Sequence, residues 1–275
     1  MTEPKKALFD FYQQVGERYD EEEHVYQTLR GILRKRFIME ILADWQGSLL
    51  DIGCNKGMYL HVYQGGERFG IDLSLPVLQK IGNRNTDLYL AVADAENLEC
   101  LKKNTFDHVL CSEVLEHCLH PEKVFEGIAH VLKPGGTALI TTPNYRGQKP
   151  KWISLGPLHE VGVECDCDEG YFHTAYRPNE LQELSEQTGL QVVKAGTLEK
   201  QIKYAAKIPA AFLLAGRALN RIFRSKRFGL WNENFVHLHT LYCYKLCQKM
   251  GLEKWLTAKI KEGVRSYILV KKTES

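Results

Sequence analysis

The sequence lacks any long hydrophobic run. Its amino terminus, MTEPKKALFDFYQQ, contains no apolar stretch of the length that a signal peptide requires. No segment reaches the roughly 18 uncharged residues that a membrane-spanning helix needs. We therefore expect a cytoplasmic protein whose membrane contact, if it has one, is peripheral and at the inner face.

A strong excess of one charge is also missing. The 275 residues include 36 Lys and Arg against 34 Asp and Glu, which leaves a net charge of +2. Proteins that follow nucleic-acid phosphates normally show a marked basic excess, so we expect no nucleic-acid partner. The hydrophobic share of 44% excludes a disordered chain. The eight cysteines are scattered along the sequence, which favours reduced thiols over a disulfide scaffold.

Hydrophobic spacing divides the chain into a helical segment and an α/β domain. Residues 1–45 carry apolar residues at helical spacing and predict an N-terminal helical cap. From Leu49 onward, short apolar runs alternate with helical stretches, which is typical of βαβ units in a parallel sheet. We therefore predict an α/β domain over 46–275. It includes a polar and aromatic segment at 143–177 and a helical insertion at 200–262, between the last two strands.

Two sequence signals predict the ends of one helix in this domain. Pro121 suits a first helical position, because its fixed φ and missing N–H are tolerated there. The Lys133-Pro134-Gly135-Gly136 sequence is a strong stop signal, so we expect the helix to end there, before the next strand.

A glycine-containing turn follows the first predicted strand. The segment LLDIGCNKG, residues 49–57, lets a ligand lie against bare backbone at the carboxyl end of that strand. Asp72 ends the second strand, where its carboxylate suits both hydroxyls of an adenosine ribose. Asp94 ends the third strand and suits the amino group of adenine. For the turn alone, a tight connection without a ligand is the alternative.

These segments together resemble the core of class I S-adenosylmethionine-dependent methyltransferases. The resemblance rests on LLDIGCNKG, GIDLS, VADAENL and the long segment FDHVLCSEVLEHCLHPEKVFEGIAHVLKPGGTALITTPN, and it covers residues 48–144. It implies a Rossmann-like α/β fold with a mostly parallel seven-stranded sheet and helices on both faces. It also implies methyl transfer with S-adenosyl-L-methionine as the cofactor.

The resemblance assigns parts of the cofactor to individual residues. Asp51 and Gly53 would frame the methionine end, and Asp72 would hold the ribose. Asp94 and Ala95 would meet the adenine. Tyr19 in the helical cap would reach the cofactor carboxylate, with packing on the sheet edge as the alternative. The implied cofactor-binding residues are Asp51, Gly53, Cys54, Asn55, Gly57, Asp72, Leu73, Asp94, Ala95 and Tyr19.

Asn55 departs from the family pattern, since it stands where the middle glycine is usual. Asparagine tolerates a left-handed backbone better than other non-glycine residues, so the turn remains compatible with the pattern. A nicotinamide-dependent oxidoreductase shares the strand, the turn and the distal acid. It requires G-x-G-x-x-G, however, and Asn55 interrupts that fingerprint.

The residues after the fourth predicted strand offer a general base. Methyl transfer from a sulfonium has an activated leaving group, so alignment and exclusion of water supply much of the catalysis. A hydroxyl acceptor also benefits from a base, and Glu113 and His117 lie at the sheet edge where ligands bind. We predict His117 as the base, with Glu113 and His173 as further catalytic candidates. The alternative is that Glu113 contacts the cofactor or backbone and His117 only caps or packs.

The segments at 142–145 and 171–181 resemble the ubiquinone-biosynthesis-type O-methyltransferase subgroup. This resemblance implies that the 143–177 segment covers a small or lipid-like acceptor that is methylated at oxygen. The candidate acceptor contacts are Asn144, His159, His173, Tyr176 and Arg177. A non-catalytic S-adenosylmethionine-binding or regulatory protein with the same fold is the alternative, although the intact glycines and acids of the turn favour an active enzyme.

A second set of residues in the same segment includes zinc-binding residue types. His159, Cys165, Cys167 and His173 lie within fifteen residues. Cys-x-Cys is not the common zinc spacing, and a polar segment over a substrate contains such residues anyway. We therefore expect no metal.

Residues 203–224 predict a basic amphipathic helix. Lys203, Lys207, Arg217, Arg221 and Arg224 share one helical face, and Ile208, Phe212, Ala215, Leu219 and Ile222 lie opposite. Such a helix can lie on an anionic membrane surface, cover an acidic substrate, or cap the domain with a solvated face. The sequence leaves these three interpretations open.

Overall fold

The structure, a computed structural model, describes residues 3–20, 22, 25–81, 87–165, 170–223 and 225–274. The chain divides into two compact units. The first comprises Met1–Glu22, Phe37–Gly196 and Arg265–Ser275, and the second comprises Glu23–Arg36 and Thr197–Val264. This division does not test the predicted boundaries. The helical cap at 1–45, the α/β domain at 46–275 and the helical insertion at 200–262 stay predictions.

The first unit is built around one sheet. The described strands are β1 (Leu49–Ile52), β2 (Arg68–Asp72), β3 (Leu88–Val92), β4 (Phe106–Ser112), β5 (Leu132–Pro143), β6 (Trp152–Ile153), β7 (Tyr171–Phe172), β8 (Leu190–Leu198) and β9 (Arg265–Lys272). Seven of them form a sheet in the order β3-β2-β1-β4-β5-β9-β8. β1 pairs in parallel with β2 and β4, β4 pairs in parallel with β5, and β9 runs antiparallel to β5. The predicted mostly parallel, seven-stranded α/β sheet is confirmed.

Helices connect most of these strands. The described helices are α1 (Glu3–Arg18), α2 (Leu29–Leu42), α3 (Met58–Val62), α4 (Leu75–Gln79), α5 (Pro121–Val131), α6 (Pro157–Glu160), α7 (Pro178–Gln187), α8 (Ile202–Ala205), α9 (Lys207–Phe223), α10 (Lys226–Lys249) and α11 (Glu253–Ala258). Pro121 is the first residue of α5, as predicted.

The Lys133–Gly136 residues, which were predicted to end the helix, belong to the following strand in the structure. α5 already ends at Val131, and β5 begins at Leu132. Phe106 pairs with Leu132, whereas His108 pairs with Thr137, so the extra residues form an irregularity at the start of β5. Gly135 has a φ of 78°, which only glycine adopts readily.

The core of the first unit lies between the sheet and α5. All four residues of β1 are buried. Leu50 and Ile52 belong to the same buried cluster as Phe125 and Ile128 of α5. Parallel strands that are covered on both faces have continuous apolar sequences, which explains why these strands are visible as short hydrophobic runs.

The 143–177 segment contains a small sheet of its own. β6 and β7 pair in antiparallel register, with Trp152 opposite Phe172 and Ile153 opposite Tyr171. Tyr171 stacks on Phe11 of α1, with ring centroids 4.9 Å apart. This contact fastens the segment to α1.

The second unit is helical. The predicted helix at 203–224 is broken at Ala206, so Lys203 belongs to α8 and Lys207 begins α9. The predicted Arg224 lies outside the described residues. α9 packs closely on α10, because a Cβ at Gly216 would lie 2.4 Å from the Asn232 side chain. Within the described ranges, we find no helix that combines the length and the hydropathy required to cross a bilayer.

Candidate functional site

A cavity of about 840 Å³, open to solvent, lies at the carboxyl ends of β1 to β4. Open α/β sheets bind ligands at this edge. Its wall includes eight of the predicted site residues: Gly53, Asn55, Asp72, Leu73, Asp94, Ala95, Glu113 and His117. Five other predicted residues, all in the described part of the chain, do not line it: Asp51, Cys54, Gly57, Tyr19 and His173.

The turn after β1 adopts a left-handed backbone at three positions. The φ angles are 68° at Gly53, 50° at Asn55 and 75° at Gly57. A Cβ at Gly53 would lie 2.3 Å from Cγ2 of Val114, so a side chain there would clash. Asn55 therefore adopts the conformation that a glycine would have at this position. The turn presents bare backbone to the cavity.

The Asp72 carboxylate organises the edge of the cavity. Oδ2 accepts a hydrogen bond from the Asn55 backbone N–H at 3.0 Å, and Oδ1 accepts one from the Ser74 N–H at 2.9 Å. Burial raises the pKa of Asp72, and these backbone donors partly offset that effect. Asp72 thus links β2 to the turn after β1 while it faces the predicted ribose position.

Asp51 and Cys54 lie beneath the turn instead of in the cavity wall. The Asp51 side chain is 2% exposed, and its Oδ2 has no hydrogen-bond partner among the described residues. Burial, followed by the nearby carboxylates of Asp72 and Glu22, raises the pKa of Asp51 well above its usual value. Burial also raises the pKa of the Cys54 thiol, which keeps it protonated. Both side chains are therefore buried and lie outside the lining of the cavity.

The predicted adenine end carries an ion-pair cluster that the sequence did not reveal. Nζ of Lys5 on α1 lies 2.7 Å from Oδ2 of Asp94 and 3.0 Å from Oε2 of Glu96. Oε1 of Glu96 accepts hydrogen bonds from the N–H groups of Leu119 and His120, at 2.6 and 3.2 Å. Lys5 thus fastens the start of α1 to the end of β3.

Helix α1 forms one wall of the cavity. Leu8, Tyr12, Val15 and Gly16 line it. A Cβ at Gly16 would lie 2.0 Å from Oγ of Ser74, which shows how closely α1 approaches the segment before α4. The tyrosine of α1 in the wall is Tyr12, whereas Tyr19 follows the end of the helix. The predicted contact of Tyr19 with the cofactor carboxylate stays a prediction.

Glu113, the residue after β4, has an unusual backbone conformation and a charged partner. Its φ is 61°, rare for a residue with a long side chain. Its carboxylate forms an ion pair with Arg265 and accepts a hydrogen bond from Oγ1 of Thr141 at 3.1 Å. Arg265 begins β9, so the pair ties the last strand to the cavity wall. Arg265 lies far away in sequence, and no motif pointed to it.

His117 and His173 form a pair of neutral imidazoles. Their ring centroids are 4.9 Å apart, and the Tyr12 ring lies 5.4 Å from that of His117. Burial, followed by the neighbouring His173, lowers the pKa of His117 to about 3. Burial also lowers the pKa of His173. The Nδ1 atoms of both rings are buried without a hydrogen-bond partner in the described residues. His117 therefore has the protonation state that a general base requires.

The structure brings together a set of potential metal ligands that differs from the four residues considered in the sequence, for which no metal was expected. Glu116, His117 and His173 each offer a ligand atom within 4.8 Å of the others. The Sγ of Cys165 instead donates to the Gly170 carbonyl at 3.1 Å, and Cys167 lies outside the described residues. Glu116 is buried and accepts a hydrogen bond from Oγ1 of Thr142 at 3.1 Å.

The predicted acceptor contacts are distributed over different environments. His173 lies beside His117, whereas His159 belongs to α6 and is exposed. Tyr176 is buried, with the Lys149 ammonium 4.0 Å from its ring centroid. The backbone N–H of Arg177 donates to Glu180 at the start of α7. His173 thus belongs to the His117 cluster.

Comparisons with known proteins identify a family for this chain. Residues 22–195 match a family model described as a methyltransferase domain. The chain is 27% identical over 195 residues to a ubiquinone biosynthesis O-methyltransferase of Bordetella avium, which covers 68% of this chain and 80% of the relative. It is 30% identical over 174 residues to the enzyme with the same name from Methylococcus capsulatus, with coverages of 60% and 73%.

Solved structures show the same fold. Phosphoethanolamine N-methyltransferase 2 of Haemonchus contortus, in complex with S-adenosyl-L-methionine, gives a TM-score of 0.58 at 17% identity over 99% of this chain and 60% of that one. The 1,6-didemethyltoxoflavin-N1-methyltransferase of Burkholderia thailandensis gives 0.58 at 12% identity, with coverages of 99% and 92%. The segment matched by the family model contains every predicted catalytic and cofactor-binding residue except Tyr19.

Proposed function

The chain belongs to the methyltransferase-domain family and uses S-adenosylmethionine, and from this premise we propose that it methylates a hydroxyl oxygen of a small or lipid-like acceptor. The observation that carries the proposal is the position of His117. It lines the same cavity as Gly53, Asp72 and Asp94, so a neutral imidazole faces the space intended for the cofactor.

The cavity fits the cofactor part by part. Gly53 and Asn55 offer bare backbone where the methionine end would lie, because a Cβ at Gly53 has no room. Asp72 would accept hydrogen bonds from the ribose hydroxyls, and Asp94 would meet the adenine amino group. When bound, S-adenosylmethionine supplies an electrophilic methyl group on a positively charged sulfur. Residues of the turn and of α1 would surround the bound cofactor and limit the access of water to it.

His117 would take the proton from the acceptor hydroxyl. Its low pKa means that a resting hydroxyl is too weak an acid to lose its proton to the imidazole. The proton on the acceptor oxygen becomes strongly acidic once that oxygen starts to bond to the methyl carbon. Proton transfer to His117 therefore occurs late in the reaction. His173 would offer a second polar side chain to the acceptor, because its ring centroid lies 4.9 Å from that of His117.

The surroundings of His117 favour an aromatic hydroxyl. Tyr12 and Tyr171 lie 5.4 and 6.3 Å from the His117 ring. Planar rings pack well against such an aromatic cluster. The similarity to enzymes named ubiquinone biosynthesis O-methyltransferases supports oxygen as the methylated atom and a lipid-like acceptor.

A lipid-like acceptor would require contact with a membrane surface. The segment 203–224 supports such contact at the inner, anionic face, because α9 carries exposed apolar and basic side chains. Phe212 is 58% exposed and Ile222 is 75% exposed. The enzyme would remain peripheral to the membrane.

The test is a comparison of cofactor binding with methyl transfer. We expect calorimetric titration to show S-adenosylmethionine binding, and a labelled-methyl screen of phenols, catechols and prenylated phenols to yield an O-methylated product. His117→Ala should lower turnover by roughly 10²-fold or more with unchanged cofactor affinity. His120→Ala is the matched control, because His120 is exposed and bonds to Glu122.

Two results would contradict the proposal. Cofactor binding without methylation of any phenolic acceptor would favour the non-catalytic alternative. A near-normal rate in His117→Ala would remove His117 from the reaction and make His173→Ala the next variant to measure.

A further inference from the structure

Exposed apolar side chains are concentrated in the helical unit. Ten of the 19 exposed large hydrophobic side chains in the described residues lie between residues 212 and 255. Single exposed hydrophobic residues are normal on a protein surface, whereas a concentration of them indicates a binding face.

Helix α9 turns its apolar stripe toward solvent. Phe212, Leu219 and Ile222 lie on one helical face and are 58%, 50% and 75% exposed. Gly216, at the edge of this stripe, is buried where α9 meets Asn232 of α10, and the three apolar side chains stay exposed beside that contact. A helix that only caps a domain buries its apolar stripe and exposes its polar one. The exposed stripe therefore disagrees with the solvated-cap interpretation of this segment.

Helix α10 carries a second exposed apolar stripe. Trp231, Leu238, Tyr242 and Leu246 are separated by seven, four and four residues and are 57%, 66%, 63% and 43% exposed. The opposite face of the helix carries buried residues among those whose side chains the structure describes. Its buried residues are Asn232, Val236, Thr240 and Tyr244. Trp and Tyr are the side chains that suit the boundary between water and lipid, because they combine an apolar ring with a polar atom.

The basic charge of this part of the chain indicates an anionic partner. Residues 197–264 contain 13 Lys and Arg but four Asp and Glu, although the whole chain has a net charge of only +2. Arg227 and Lys245 are exposed on α10, four residues before Trp231 and seven residues after Leu238, so helical spacing places both beside the apolar stripe of α10. A second copy of the same surface would bring like charges together, which opposes self-association. An anionic bilayer offers the opposite charge together with an apolar interior.

We propose that Phe212, Leu219, Ile222, Trp231, Leu238 and Tyr242 form a docking surface for an anionic lipid bilayer. This inference rests on the proposed function for the lipid-like acceptor that makes docking useful, and it extends the contact from the 203–224 segment to α10. The apolar rings enter the interface between headgroups and acyl chains, and the neighbouring basic residues contact lipid phosphates.

The experiment is cosedimentation of the full chain with vesicles of zwitterionic lipid that contain phosphatidylglycerol. We expect binding at low salt, little binding to purely zwitterionic vesicles, and weaker binding as salt rises. Arg227→Gln with Lys245→Gln should weaken binding about 25-fold, since each charge near the surface contributes about fivefold, or roughly 1 kcal/mol. Trp231→Ser with Tyr242→Ser should weaken it by about tenfold or more.

Matched controls lie in the other unit. Tyr89 is 56% exposed, which is close to the 57% of Trp231, so Tyr89→Ser removes a comparable ring elsewhere. Lys102→Gln with Lys194→Gln removes two exposed charges outside the docking surface. These controls should bind vesicles like the wild type. Thermal unfolding and cofactor titration of every variant show whether it is folded.

Three results would overturn the proposal. The first is a wild-type protein that does not cosediment with anionic vesicles at low salt. The second is loss of binding in the controls but not in the docking-surface variants. The third is a concentration-dependent dimer that Trp231→Ser dissociates, with no vesicle binding, which would show that a second copy covers the stripes. Methylation of a water-soluble phenol tests the proposed function separately, because it requires no vesicles.

Discussion

Asp72 and Asn55 join two strand ends through one hydrogen bond, from the Asn55 backbone N–H to Oδ2 of Asp72 at 3.0 Å. The contact places a carboxylate at the cavity wall and holds the turn that lies beside it. The same side chain therefore serves the fold and the predicted ribose contact.

Asp72→Ala should weaken S-adenosylmethionine binding by about 1.5 to 3 kcal/mol, because hydrogen bonds to a charged group have roughly this strength. Calorimetric titration measures the change. Asp87→Ala is the control, since the Asp87 side chain is 80% exposed. Unchanged affinity in a folded Asp72→Ala variant would remove Asp72 from the cofactor site.

Asn55→Gly should be neutral or stabilising, whereas Asn55→Val should lower the free energy of unfolding by about 1 to 2 kcal/mol. The reason is the left-handed backbone at Asn55, which glycine adopts freely and a β-branched residue resists. Asn97 has a φ of −139°, so Asn97→Gly should destabilise the protein instead. Denaturant unfolding of the three variants checks the order, and equal effects of both glycine substitutions would contradict it.

Acidification should destabilise the protein partly through His117. Its pKa is about 3 in the folded protein but 6.5 in an exposed imidazole, so below pH 6.5 the unfolded chain binds a proton that the folded protein does not. This contribution to stability is present above pH 6.5 and is lost by up to about 1.4 kcal/mol per pH unit as the pH falls toward 3.

The measurement is denaturant unfolding of wild type and His117→Gln at pH 7.5, 6 and 5. The stability difference between the two proteins should shrink as the pH falls, whereas the exposed control His120→Gln should follow the wild type. Parallel profiles for wild type and His117→Gln would show that His117 is not held neutral by the fold.

Lys5→Met should speed the release of S-adenosylmethionine several-fold. The substitution removes the ion pairs to Asp94 and Glu96 that fasten α1 over the cavity, and partly buried pairs of this kind contribute about 1 kcal/mol. Stopped-flow displacement of the bound cofactor gives the rate. Lys6→Met is the control, because the neighbouring Lys6 is exposed. Equal release rates in both variants would show that Lys5 does not hold α1 closed.

Local sequence determined the sheet, the turn and the acids at the strand ends. Parallel strands buried on both faces must be continuously apolar, and a left-handed turn requires glycine or asparagine, so β1, Gly53 and Asn55 are visible without a structure. Asp72 and Asp94 follow from the same logic, because the carboxyl ends of parallel strands meet at one edge.

Tertiary structure alone decided which residues meet from distant parts of the chain. Arg265 reaches Glu113 across 152 positions of sequence, and Lys5 reaches Asp94 across 89, and neither pair has a local pattern. Hydrophobic periodicity predicted the apolar stripe of α9, but periodicity does not state which neighbour covers a stripe. Packing decides that, and here the face of α9 at Gly216 packs on α10 while Phe212 and Ile222 stay exposed.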